Sequence, residues 1–175
     1  PLITAIMKII DINKLPSQVT LNLGALRASS KRPGRVEALA PVTYVRPKVL
    51  VESKAVASYA KVCGFQTAHG VPLLYPHMLA FPLSIMLFGS KHYPWPAMGT
   101  VHLANRIEQK KSLRAGDTVR VEMQTGELFA HEKGQGFNLD LRILRDDEVV
   151  WSATQSLLRV GVSQKSGKPY ASAIT

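Results

Sequence analysis

The chain has 175 residues, 46% of them hydrophobic and 19% charged, which excludes a disordered segment and suits one domain with a real core. Twenty-two Lys and Arg against twelve Asp and Glu leave a formal net charge of +10. The single cysteine, Cys63, excludes an internal disulfide framework and a cysteine-rich zinc site. No Asn-x-Ser/Thr sequon occurs. These figures lead to the expectation of a soluble, cytoplasmic globular domain without metal or cofactor.

The positive charge is uneven. Residues 1–50 carry +6, residues 51–100 +2, residues 101–150 −1 and residues 151–175 +3. The first 44 residues are expected to form a basic extension with a short helix, densest in charge at Lys31, Arg32 and Arg35. A nucleic-acid surface pairs a basic stripe with interleaved aromatics, and only Tyr44 stands near this cluster. An anionic small molecule such as a nucleotide-bearing thioester, or a plain solvated face, explains the charge better. Leu2 to Ile10 is apolar but too short for a secretory signal, and it lacks a basic start.

Residues 45–51 read as a strand, followed by a helix that Glu52 or Ser53 opens and that runs through Tyr59 to Val62. From Val62 to Ser90 no residue is charged, which raises the question of a membrane span. Pro72, Pro76 and Pro82 interrupt it, and its dense apolar part, Met78 to Phe88, is 11 residues long. That is a buried-helix length, apolar all round, so other structure must wrap it. Pro82 is expected to kink this central helix or to fall in its first turn. Cys63, in an apolar segment, reads as a core residue.

The second half changes period. Val101, Leu103 and Ile107 alternate, as do Val119, Val121 and Met123, and then Phe137, Leu139, Leu141 and Ile143. A last segment runs from Glu148 to Val160. These are period-2 strands. Asp146-Asp147-Glu148 makes a hairpin turn between the last two. Four successive strands suggest an antiparallel meander with one buried face, and the apolar helix upstream is its cover. The expected fold class is α+β, an antiparallel sheet wrapped around a long central helix, spanning residues 45–162. The polar run 163–175 reads as a tail or linker.

Generic catalytic patterns mostly fail. There is no Gly-x-Ser-x-Gly elbow. Gly134-Gln135-Gly136 lacks a third glycine and reads as a turn. Gly161 to Lys168 has the wrong spacing for a phosphate loop. Cys63 with His69 or His77 could pair as thiol and base. His69 and His77 flank the start of the central helix, where a histidine suits general acid–base work or polarisation of a carbonyl, or simply caps the helix. His102 lies on a strand, and His92 and His131 read as loop residues without a partner.

The runs Tyr59-Ala-Lys-Val-Cys-Gly-Phe65 and Val71-Pro-Leu-Leu-Tyr-Pro-His-Met-Leu-Ala-Phe-Pro-Leu83 resemble MaoC-like acyl dehydratases. Tyr93-Pro-Trp-Pro96, Gly99-Thr-Val-His-Leu-Ala-Asn105 and Trp151 to Arg159 extend the resemblance over about residues 45–160. It implies a hot-dog fold, hydration or dehydration of acyl thioesters on coenzyme A or acyl carrier protein, and assembly of hot-dog pairs. Carried over to this chain, His77 and His69 are the candidate catalytic residues. Tyr75, Met78, Leu79, Leu83, Met86 and His102 are the candidate acyl-pocket residues, with Leu87 nearby.

The chain departs from the family's Gly-Asp-x-Asn-Pro-x-His signature. After Gly64 stands Phe65 in place of the aspartate, and His69 falls one place short. Two readings follow. One is the pocket-forming half of a double hot-dog dehydratase whose catalytic pair resides in another half. The other is a hot-dog thioesterase or a non-catalytic acyl-thioester binder, with Glu52, His69 or His77 available to activate water. A basic nucleic-acid module is a third, of different class. A lone curved sheet leaves an unpaired edge strand, so a homodimer or a second hot-dog domain is expected as partner.

Overall fold

A computed structural model of the chain describes residues 7–32, 34–68, 70–162 and 169–170. In chain order the elements are β1 (Lys8–Asp11), α1 (Gln18–Ser29), β2 (Val42–Leu50), α2 (Ser53–Cys63), α3 (Tyr75–Gly89), β3 (Thr100–Gln109), β4 (Thr118–His131), β5 (Gly134–Arg145) and β6 (Glu148–Val160). One six-stranded sheet has the order β1-β2-β4-β5-β6-β3, antiparallel throughout except for the β1–β2 pair.

Period-2 patterning builds the sheet's two faces. On β4 and β5, Val121, Met123, Leu139, Leu141 and Ile143 are fully buried. The intervening positions carry paired polar groups instead: Glu122 bridges Arg120 at 2.7 Å and Arg142 at 2.8 Å, and Thr154 donates to Asp140 at 2.7 Å. The β5–β6 hairpin turns on Asp146 and Asp147, both at positive φ, the geometry a two-residue turn requires. Pro47, which has no N–H to give the ladder, falls in the register shift of β2 between Arg46 and Val49.

The apolar face is covered by α3, which packs on β4 and β5. Its core stripe is Tyr75, Leu79, Ala80, Leu83, Ser84 and Leu87. Pro82 lies inside the helix and deprives the Met78 carbonyl of its donor. At the next carbonyl, that of Leu79, Arg46 from β2 reaches in and donates at 3.1 Å. Trp95, Tyr93 and Phe137 close one end as an aromatic cluster with centroids 5.5–5.7 Å apart.

The first 44 residues contribute to this body. Strand β1 pairs with β2, and α1 packs on α3 where Gly24 meets Gly89. The Trp95 indole donates to the Gly34 carbonyl at 2.6 Å. Position 45, expected to begin the domain, lies inside β2. Neither β1's pairing nor α1's docking is visible in the composition of that stretch. Of the expected tail, Tyr170 is described, and its N–H donates to Ala130 at 2.9 Å.

The structure departs from the sequence pattern at three further places. Gly134 and Gly136 form the start of β5 rather than a turn. A Cβ at Gly134 would fall on the Arg159 carbonyl and one at Gly136 on the Phe129 ring, so glycine permits close pairing there. Cys63 is exposed at the end of α2, not core. His92 has a partner, since its Nδ1 shares a 3.2 Å hydrogen bond with the Tyr44 hydroxyl.

Candidate functional site

The entry to α3 is pinned from the sheet. The Trp151 indole on β6 donates to the Leu73 carbonyl at 2.9 Å, and the first turn closes with Tyr75 N–H to Pro72 at 2.9 Å. Tyr75 is buried edge-on against Tyr59, centroids 5.5 Å apart. Its phenol is pushed up by burial and then by the nearby Glu52 carboxylate.

His77 follows within this turn. Its Nε2 lies 3.0 Å from the amide nitrogen of Gln155 on β6, and its Nδ1 is buried without a hydrogen-bond partner. Burial, then the charge of His102, lowers its pKa below the ordinary 6.5. His102 itself is exposed at a register shift in β3, where Nε2–H donates to the Ala104 carbonyl at 2.9 Å. Among the described residues no carboxylate is hydrogen-bonded to His77. His69 lies outside the described residues.

The expected acyl-pocket residues divide. Tyr75, Leu79, Leu83 and the neighbouring Leu87 belong to the packed core. Met86 is half-buried and lines a small cavity of about 160 Å³ against α1, with Leu21 and Gly24. Met78 and His102 face outward, Met78 being 49% exposed. With Leu74 and Phe81, Met78 forms an exposed apolar stripe at i, i+4, i+7 along α3. A separate cleft of about 580 Å³ lies between α2 and the loops around Gly70 and Arg114, lined by Ser53, Val56, Thr67 and Ser112. None of the described candidate site residues lines it.

Gln155 escaped the sequence reading. A signal existed: it is the polar member of β6's inward alternation Trp151, Ala153, Gln155, Leu157, all buried. A buried amide requires partners.

No family model matches the chain. The 3-hydroxyacyl-thioester dehydratase X of Mycobacterium tuberculosis is 29% identical over 135 residues, 77% of this chain and 48% of that protein. The crystal structure of HtdX from Mycobacterium tuberculosis superimposes with a TM-score of 0.63 at 29% identity, covering 67% of this chain and 51% of that one. The chain has a hot-dog fold. The C-terminally truncated HadBC (3R-hydroxyacyl-ACP dehydratase) complex from Mycobacterium tuberculosis shares the domain's fold, with a TM-score of 0.55 at 17% identity over 67% of this chain and 95% of that one. The hot-dog domain spans about half the length of the curated relative it matches.

In this domain α3 packs against β4 and β5 on the sheet's apolar face. Where the family signature places an aspartate the domain has Phe65, 44% exposed and stacked on Tyr59 at 6.2 Å. Among the described residues no group of three or more His, Cys, Asp or Glu could hold a metal ion. No described helix is long and apolar enough to cross a membrane.

Proposed function

We propose that this chain is the acyl-cradling half of a 3-hydroxyacyl-thioester dehydratase or enoyl-thioester hydratase, with its acid–base pair on a second hot-dog domain. The carrying observation is the likeness to dehydratase X at 29% identity over 77% of this chain but only 48% of that protein. Hydration adds a hydroxyl at C3 of the enoyl thioester and a proton at C2, so the site must activate water and stabilise negative charge on the thioester oxygen. In this chain His77 is the candidate to polarise that oxygen, and His69 is a candidate only by its place before α3. The acyl group, on coenzyme A or acyl carrier protein, would run along Met78 and Phe81 beside His102, while Tyr75, Leu79 and Leu83 hold the wall from behind.

The second hot-dog domain, either a second copy or another domain, would lie on the β3 edge and the Leu74-Met78-Phe81 stripe. Unpaired edge groups and exposed apolar side chains are what such a partner covers. Lys31, the head of the basic cluster, is consumed inside the fold by three main-chain carbonyls at 2.7–3.3 Å, which weakens the nucleic-acid reading.

The test is the mass of the natural polypeptide followed by crotonyl-coenzyme A hydration on the same sample. A polypeptide or complex with two hot-dog domains that hydrates the substrate is the expected result. Release of free coenzyme A without hydration would replace this reading with a thioesterase. Binding without any turnover would leave an acyl-thioester binder.

A further inference from the structure

Gln155 meets His77 across the α3–β6 contact with its amide nitrogen, a group that only donates. The bond therefore requires a lone pair on His77 Nε2, and a neutral imidazole with a lone pair on Nε2 carries its proton on Nδ1. Protonating Nε2 would set donor against donor at 3.0 Å, so the pairing opposes the imidazolium. Burial, and then the electrostatic influence of His102 on β3, act in the same direction. The outcome is a neutral ring whose Nδ1 is buried without an acceptor among the described residues, and an unsatisfied buried donor is a standing cost that an incoming acceptor removes.

We infer that Gln155 is a positioning residue that fixes His77 as a neutral Nδ1–H donor for the thioester carbonyl, and not as a base. The role deepens the proposed dehydratase site and rests on that reading. Its placement follows from the strand: Gln155 is 5% exposed, held in register between Asn105 on β3 and Leu139 on β5. It cannot swing away as a surface glutamine would.

The experiment is ¹⁵N-histidine NMR of the whole chain, with His77 assigned by the resonance lost in His77→Asn. The wild-type protein is expected to show the Nδ1–H tautomer and to stay neutral to below pH 6.5. Gln155→Glu offers a carboxylate acceptor, so it should move the proton to Nε2 and raise the His77 pKa by about one to two units. Gln155→Met keeps the length and apolar contact, and should leave a mixture of tautomers in a chain that still unfolds cooperatively in urea. An Nε2–H tautomer in the wild type, or a Gln155→Glu protein with unchanged tautomer and pKa, overturns the assignment. Titration with a thioether analogue of crotonyl-coenzyme A separates the two levels of the argument. A downfield shift of the His77 Nδ1 proton supports the donor role. No response, with the tautomer as expected, overturns that role and counts against the thioester site while leaving the Gln155–His77 bond established.

Discussion

Lys31 donates to the carbonyls of Phe88, Ser90 and Tyr93 and sits 5.6 Å from the Tyr93 ring centroid. It closes the C-terminus of α3, whose last carbonyls lack helical partners. Lys31→Met keeps the apolar stem but leaves those oxygens without their donor, and should cost about 1 to 3 kcal/mol in urea unfolding. At Gly134 an added Cβ meets main chain, the Arg159 carbonyl, which cannot rotate aside. Gly134→Ala should therefore destabilise by about 3 kcal/mol, and more than Gly136→Ala, where the obstacle is the turnable Phe129 ring. The histidines set a pH dependence. Burial pushes both His77 and His92 below the ordinary value of 6.5, helped by His102 at the first and by Lys8 and Lys91 at the second. Between the folded and unfolded values the unfolded chain binds more protons, so their contribution to stability is full above about pH 6.5 and falls as the pH drops below it. Urea midpoints at pH 7.5 and 5.5 check this. The difference should shrink in His92→Asn.

At the scale of elements, α3 carries much of the core. Its residues 75–89 include seven buried side chains, and Leu83 is 0% exposed. Leu83→Ala should cost about 2 to 5 kcal/mol, measured by chemical denaturation, because the sheet behind it cannot collapse into the space. The prolines were visible in the sequence, and so was the length of the helix, to within a few residues. What Pro82 does was not visible: the helix continues through it, with Arg46 of β2 supplying a donor one turn away. The strands were legible for the opposite reason, since alternation is local. β1 carries only four residues, KIID, whose burial shows no alternation, and its pairing with β2 is a tertiary choice. The site was legible in part. Tyr75 and His77 could be placed at the helix start from their order in the chain, whereas Gln155 stands 78 residues away and is joined to His77 only by the sheet's register.

Among the described residues, the surfaces left uncovered include the β3 edge and the exposed Leu74, Met78 and Phe81 at the start of α3. Met78→Lys with Phe81→Lys should change the stability of the domain itself by no more than about 0.5 kcal/mol, because both side chains are about half exposed. The same pair should abolish association with a second hot-dog domain in light scattering at micromolar concentration. A wild-type chain that stays monomeric under those conditions, with no second domain present, would count against the proposed partner. The sequence by itself determined that an uncharged helix of this length would pack on an antiparallel sheet, because hydrophobic periodicity is a local property and apolar surface seeks burial. Only the tertiary structure decided which of the helix's apolar residues became core and which became surface, that Lys31 would be spent as a helix cap, and that His77 would meet Gln155. Those outcomes depend on crossing angle and strand register, which bring together residues that no local pattern in the chain connects.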